Sequence, residues 1–365
     1  MSTIAVNTIT DASGGTTATI NGYTPTVSNM AGRNRIINGA MGVWQRGTSF
    51  TGITNVPSYT ADRWGAFVSA VIAGEQVIQS SSTPSGQGFK YSAGFGRTAA
   101  NTNTNSIWFV QLIESVNMLD LAGQSVTLSF WAKAGANYSG GNLTVLVNSG
   151  TSADQSLATF SGGPCTGYTG YASVINGSQA ITTTWTKYTF TGSVGSTAQE
   201  IGVAFGYTPT GTAGADDNIY ITGVQLEKGS VATPFDYRQY GTELALCQRY
   251  YWQLSSSDKG GYVNGIIYQG WADTATSSIG IAQFPVTMRT SPTLSTSGTI
   301  GDYVFRAPQS QGTSPACSAV PTLATSGTNY ARIGASTSGT FTVGAGHYFS
   351  FSSNTTGYVG FSSEL

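Results

Sequence analysis

The sequence predicts an all-β protein: a jelly-roll β-sandwich, then a short connector helix, then a second, smaller C-terminal β-domain. Three observations carry that expectation. Segments of alternating apolar and polar residues recur roughly every 8 to 15 positions, divided by Gly, Asn, Ser and Thr clusters, which is the rhythm of short strands and turns. Glycine supplies 48 of 365 residues and charged residues only 8%, so the Lys, Glu and Arg that normally cover exposed helix faces are scarce. One stretch alone breaks the alternation. Leu244, Cys247, Tyr251 and Leu254 mark one stripe of a helix, with Thr242 placed to cap its start.

Taken in order, residues 1–33 form a polar arm with two short strand-like pieces around a turn that begins at Asp11. One hairpin buries too little surface to stand alone, so the arm is expected to need a partner. The sandwich is expected over 34–240, with its clearest strand at 126–133. There Val126, Leu128, Phe130 and Ala132 fall on one face, while Thr127, Ser129, Trp131 and Lys133 fall on the other. Further strands are expected at 66–72, 107–113, 143–147, 185–191, 201–207 and 219–226. The connector helix follows over 241–258. From 259 to 365 the segments YVNGIIYQGW, SIGIAQF, IGDYVF, ARIGAS, HYFSF and GYVGFSSEL supply enough strands for a compact β-domain. Pro285 and Pro292 should mark a turn or an edge there, and the last run should be paired in a sheet. No fixed repeat or heptad pattern is present, so an oligomer would be held by β-surfaces.

Composition excludes several classes of function. A net charge of −1 leaves no clustered basic face for nucleic acid, and 12% aromatics are enough to build a core, unlike most disordered chains. Cys165, Cys247 and Cys317 are odd in number and far apart, which reads as buried thiols and not as a disulfide or metal framework. The first residues lack the pattern of a secretion signal, and no apolar run is long enough to insert in a membrane.

NRIINGAMGVWQRGTSF (34–50), YTADRW (59–64), SVTLSFWAKAG (125–135), the V-Q-L-E-x-G-S-x-A-T-P-F run from Val224, E-L-x-L-C-Q-R-Y-Y from Glu243, FPVTMRTSPTL (284–294) and FSSEL (361–365) together resemble bacteriophage tail-fibre and tail-associated receptor-binding proteins. The 34–240 half is similar to the jelly-roll sandwiches of carbohydrate-binding modules. The resemblance implies a protein made in the host cytoplasm and built into the virion tail, where the arm binds other virion proteins. It also implies a homotrimer that adheres to a host surface glycan. Such modules often place a carboxylate inside the closing strand, where this chain has Gly223. Asp216 and Asp217, just before that strand, are then the remaining metal candidates, against the reading of a solvated turn. No cofactor is expected.

Catalysis finds little support. The one histidine, His347, cannot supply a Ser-His-Asp site without a nucleophile motif or a histidine-based zinc site, and no phosphate-binding glycine pattern is present. A glycosidase would need two carboxylates brought together, with Glu114 and Asp120 or Asp216 and Asp217 as the pairs to consider. The expectation is therefore a non-enzyme that binds. Sugars stack their CH faces on aromatic rings, which makes Trp131 with Lys133 one candidate cluster, and Tyr262, Tyr268, Trp271, Tyr330, His347 and Tyr348 a second, on the C-terminal domain. Packing between sheets or subunits is the alternative for each ring. Two other functions stay open: a structural virion component such as a decoration, head-fibre or tail-nozzle protein, and a polysaccharide-degrading tailspike.

Overall fold

The computed structural model describes residues 32–70, 74–157, 167–256, 265–306, 316–352 and 356–365. The expected N-terminal arm, Tyr262 and Cys165 therefore lie outside the described residues, apart from Gly32 and Arg33 at the end of the arm. The chain divides into two compact units, one that ends at Gln239 and also takes in Leu365, and one over Tyr240–Glu364.

In chain order the first unit contains β1 (Ser49–Ile53), β2 (Ser58–Tyr59), β3 (Gly65–Val68), β4 (Glu75–Ser80), β5 (Ser92–Arg97) and β6 (Ile107–Ile113). These are followed by β7 (Ser125–Ala134), β8 (Leu143–Gly150), β9 (Ala172–Gln179), β10 (Thr186–Ser193), β11 (Glu200–Tyr207) and β12 (Asp217–Lys228). They make two six-stranded antiparallel sheets, β1-β4-β5-β12-β7-β10 and β2-β3-β6-β11-β8-β9, whose many non-consecutive neighbours are the crossovers of a jelly-roll sandwich. Strand alternation fills the space between the sheets. Val126, Leu128, Phe130 and Ala132 of β7 are buried there, as are Phe109 of β6 and Val203 and Phe205 of β11. Trp64 stacks on Phe109 with centroids 4.7 Å apart, and Phe205 meets Phe130 edge-on at 4.8 Å.

Polar staples close the sandwich. Asn38 donates to the Val43 and Asp62 carbonyls at 2.8 and 3.0 Å, and Gln111 exchanges two 2.8 Å bonds with the Ile37 backbone. Arg63, held at φ 70° by the turn, donates to the Leu112 carbonyl at 2.7 Å. At the closing strand, Ile219 and Ile221 face the core, but so do Val224 and Leu226, because a bulge between Thr222 and Gln225 shifts the alternation by one. Gly223 makes that bulge at φ 62°, and a Cβ there would lie 2.5 Å from Phe89. A carboxylate at this position would not fit.

The second unit begins with α1 (Tyr240–Gln248), which is shorter than the 241–258 the sequence suggests. Tyr251 and Leu254, expected to continue the helical stripe, instead belong to β13 (Tyr251–Ser255). Sheet pairing overrides helical spacing here. β13 pairs along its length with a C-terminal strand, and Trp252 stacks on Phe361 at 5.5 Å. Next come β14 (Ile266–Ala272), β15 (Ser277–Gln283), β16 (Thr293–Thr296), β17 (Tyr303–Arg306), β18 (Thr322–Ser326), β19 (Tyr330–Ser336), β20 (Gly346–Phe351) and β21 (Tyr358–Ser362). They form a three-stranded sheet, β13-β21-β16, and a six-stranded antiparallel sheet, β17-β20-β14-β15-β19-β18. Phe305, Ile333, Phe349 and Phe361 anchor their shared core. Cys247 and Cys317 are buried.

Candidate functional site

The six-stranded sheet of the second unit carries exposed aromatic residues on its outer face. Alternation along the six-stranded sheet sends Tyr303, Phe305, Ile333, His347 and Phe349 inward, and Trp271, Ile281, Tyr330, Arg332 and Tyr348 outward. Trp271 is 45% exposed, Ile281 47% and Tyr330 42%, whereas the other six tryptophans are buried or half-buried. The register fixes the rows. Gly346, Trp271, Ile279 and Gly334 lie side by side across four strands, and Arg306, Tyr348, Gln269, Ile281 and Arg332 form the next row. Trp271 has Gly346 beside it on one strand and Ile279 beside it on the other. A Cβ on Gly346 would have only the Gly270 carbonyl, at 3.9 Å, within reach.

This alternation divides the predicted C-terminal cluster. Trp271, Tyr330 and Tyr348 share the outer face, but Tyr268 and His347 are core residues and cannot stack on a ligand. His347 adjoins Tyr348 in one strand and must point the other way. Its ring stacks on Phe341 at 4.9 Å and its Nε2 bonds Ser278 Oγ, which also bonds the Tyr268 hydroxyl at 2.9 Å. Burial pushes the His347 pKa down, against a smaller raising effect of the Ala345 backbone. Tyr268 is drawn in by a bulge between Ile266 and Tyr268, and its ring covers Gly280. Ile279, Ile281 and Arg332 are absent from the predicted cluster, although the alternation of S-I-G-I-A-Q and Y-A-R-I-G-A-S carries the signal for them.

The first unit has a second aromatic face, on the outside of the sheet that contains β7. Trp131 and Lys133 lie there, as the alternation predicts. Register places Tyr220 opposite Lys133, and Thr222 and Lys187 opposite Trp131 on its two sides. Lys133 Nζ sits 5.0 Å from the Tyr220 ring centre and 5.7 Å from that of Trp185. Residues 81–91 cross this face, so that Trp185 Nε1 donates to Ser82 Oγ at 3.4 Å and Phe89 covers Gly223. Phe89 in turn meets Phe235 and Tyr237 at 5.1 and 5.4 Å. Further along the face the V-Q-L-E motif is explained structurally. Gln225 donates to Glu227 at 2.8 Å, and Glu227 accepts the Thr233 hydroxyl at 2.6 Å and its N–H at 2.8 Å, which folds the following loop back on the sheet.

Asp216 and Asp217, the predicted metal candidates, are each taken up by donors. Asp217 is buried against Arg97 at 2.7 Å and also accepts the Ser139 N–H at 2.6 Å. Arg97 further donates to the carbonyls of Asn103, Gly211 and Thr210 at 2.7, 2.8 and 3.0 Å, so one guanidinium ties two loops together. Asp216 accepts from Tyr220 at 2.8 Å, Asn218 at 3.0 Å and the Ala136 N–H at 3.1 Å. Burial would raise its pKa, but these bonds and the Lys133 charge outweigh that and hold it below the usual value. Among the described residues no group of three or more His, Cys, Asp or Glu could hold a metal ion. Asp120, predicted as one of a catalytic pair with Glu114, bonds Arg35 at 2.7 Å.

No protein-family model and no curated protein matches this chain. Solved structures similar to it include the enzymatically active domain of tailspike protein 4 from bacteriophage CBA120, at 14% identity over 54% of this chain and 21% of that one, with a TM-score of 0.32. The CBM22-1 xylan-binding domain of Paenibacillus barcinonensis Xyn10C is 16% identical over 50% of this chain and 98% of its own, with a TM-score of 0.29. The N-terminal cellulose-binding domain of Cellulomonas fimi β-1,4-glucanase C is 16% identical over 42% and 85%, at 0.26. The chain thus spans about a fifth of the tailspike chain it resembles. The fold assignment rests on the strand order and registers given above.

Proposed function

We propose that the protein is a non-catalytic adhesin of a phage virion, a tail-fibre or receptor-binding protein that attaches to a host surface glycan through the outer face of its C-terminal six-stranded sheet. The observation that carries this reading is Trp271, 45% exposed on the outer face of the sheet with Gly346 beside it. A pyranose ring can lay its CH face on that indole while Gln269, Tyr348 and Arg332 offer hydrogen bonds to its hydroxyls. None of the six strands of this sheet contains Asp or Glu, which favours binding over glycoside hydrolysis, a reaction that takes two carboxylates. The motifs shared with tail-associated phage proteins supply the biological setting. A homotrimer belongs to the same proposal, since three weak sites held together give strong attachment.

The test is attachment of full-length fluorescent protein to the bacterium the phage infects and to a receptor-deficient derivative. Wild type should bind only the former, and Trp271→Ala should lose most of that binding. Undiminished binding by the variant would remove the C-terminal face from the account. Release of reducing ends from the surface polysaccharide would replace the adhesin with a depolymerase. Sedimentation at micromolar concentration tests the trimer, and a monomer would contradict it.

A further inference from the structure

Charge is scarce enough in this chain that its location carries information. The sequence has five lysines, and three of them, Lys90, Lys133 and Lys187, gather at the outer face of the first unit's β7 sheet. Lys187 is exposed and directly opposite Trp131 in the neighbouring strand, which places the two side chains about 5 Å apart at their bases. Lys133 lies two residues along from Trp131 on the same face, between the Trp185 and Tyr220 rings. Lys90 is exposed and stands 4.9 Å over the ring of Tyr91, whose carbonyl accepts from Thr222, the residue opposite Trp131 on its other side. Asp216, which feels the Lys133 charge, and Glu227 are each also occupied by several hydrogen-bond donors.

We infer that this face is a second binding site, separate from the Trp271 face, and that it takes an acidic glycan whose sugar rings carry carboxylates. A uronate bears its charge on the ring itself. A ring stacked on Trp131 would therefore hold its carboxylate within one strand spacing of Lys187, and a neighbouring ring would meet Lys133 or Lys90. A neutral glycan would gain the stacking but offer no anion to ammonium groups whose present neighbours are the Thr233 carbonyl, 3.4 Å from Lys187 Nζ, and the Trp185, Tyr220 and Tyr91 rings. A polyanion without pyranose rings would gain the charges but bring no sugar CH face to Trp131.

The experiment uses the full-length protein with hyaluronate, polygalacturonate and alginate fragments, dextran as a neutral glycan, and a single-stranded oligonucleotide as a polyanion without uronate. At least one uronate polymer should bind about tenfold tighter than dextran or the oligonucleotide, with affinity falling as salt rises. Lys187→Gln, at an exposed position, should weaken that binding about tenfold and reduce its salt dependence, and Trp131→Ala should weaken it at all salt concentrations. Trp271→Ala should leave it unchanged, which separates failure here from failure of the adhesin proposal. Binding to none of the three polymers, equal binding of dextran or of the oligonucleotide, indifference to Lys187→Gln, or loss in Trp271→Ala would each overturn the inference.

Discussion

The two outer sheet faces are built by the same alternation and finished differently. On the first unit, residues 81–91 and the loop after β12 fold back over the sheet, so Trp131 and Trp185 are half-buried and Lys133 is held between rings. On the second unit, Trp271, Ile281 and Tyr330 stand exposed, with Gly346 beside Trp271. The polar interiors differ too. The first unit buries an Arg97–Asp217 pair and Glu75, and the second buries Asp302 together with a relay of Tyr268, Ser278 and His347. The difference teaches that a strand aromatic stands more exposed where glycine lies beside it, as Gly346 beside Trp271, than where loops fold back over the sheet, as around Trp131.

The comparison breaks most sharply at Arg97. Arg97→Ala should destabilise the first unit by about 3–5 kcal/mol, because it leaves a buried carboxylate and three loop carbonyls without their donor. Urea unfolding followed unit by unit with limited proteolysis and mass spectrometry should show the loss in the first unit and none over Tyr240–Glu364. Next in size is Gly223→Ala. It should cost the first unit about 1–2 kcal/mol for the left-handed backbone alone, with the Phe89 clash adding to it, and loosen the loop over Trp131. An unchanged urea midpoint would mean that the bulge can relax without the glycine.

The pH response should separate the units. Burial raises the pKa of Glu75, partly offset by the Asn103 bond and the Arg97 charge, and among the described residues its Oε2 has no hydrogen-bond partner. The folded state therefore holds that proton more tightly than the unfolded chain. Its contribution to stability is intact below about 4.5 and is lost as pH rises through the raised value. His347 works in the opposite sense. Its lowered pKa gives a contribution that is present above about 6.5 and lost as pH falls. Glu75→Gln should raise first-unit stability at pH 7 and converge with wild type near pH 4, while the second unit should weaken as pH falls below about 6.5 in both proteins. Parallel pH curves for the two units would show that neither buried group governs them.

Much of the fold was legible because alternation reports strand faces directly. The 107–113 strand is found where expected, and Val126, Leu128, Phe130 and Ala132 are core residues. β1, β4, β5 and β9 passed unread, since S-A-G-F-G-R and A-S-V-I-N-G-S-Q carry glycine and serine where apolar partners would signal a strand. The helix overrun at Tyr251–Ser255 arose because a short apolar run fits both periods, and only its long-range pairing with β21 decides between them. At the candidate sites Trp131, Lys133, Trp271, Tyr330 and Tyr348 could be read from the sequence. Grouping His347 with Tyr348 set two neighbouring strand residues on one face, which the pleat forbids. The closeness of Lys187 and Tyr237 to the Trp131 face depends on strand order and loop return, which no local pattern encodes.

The smallest effect on stability should accompany the largest on binding. Trp271→Ala should shift stability by no more than about 0.5 kcal/mol, because the side chain stands on an open face. The most direct test of the adhesin account is acrylamide quenching of tryptophan fluorescence with and without saturating host surface polysaccharide, in wild type and in this variant. The account predicts that glycan shields the readily quenched Trp271 component in wild type and changes nothing at that position in Trp271→Ala, with the same unfolding midpoint in both proteins. Glycan binding that leaves wild-type quenching untouched would contradict it.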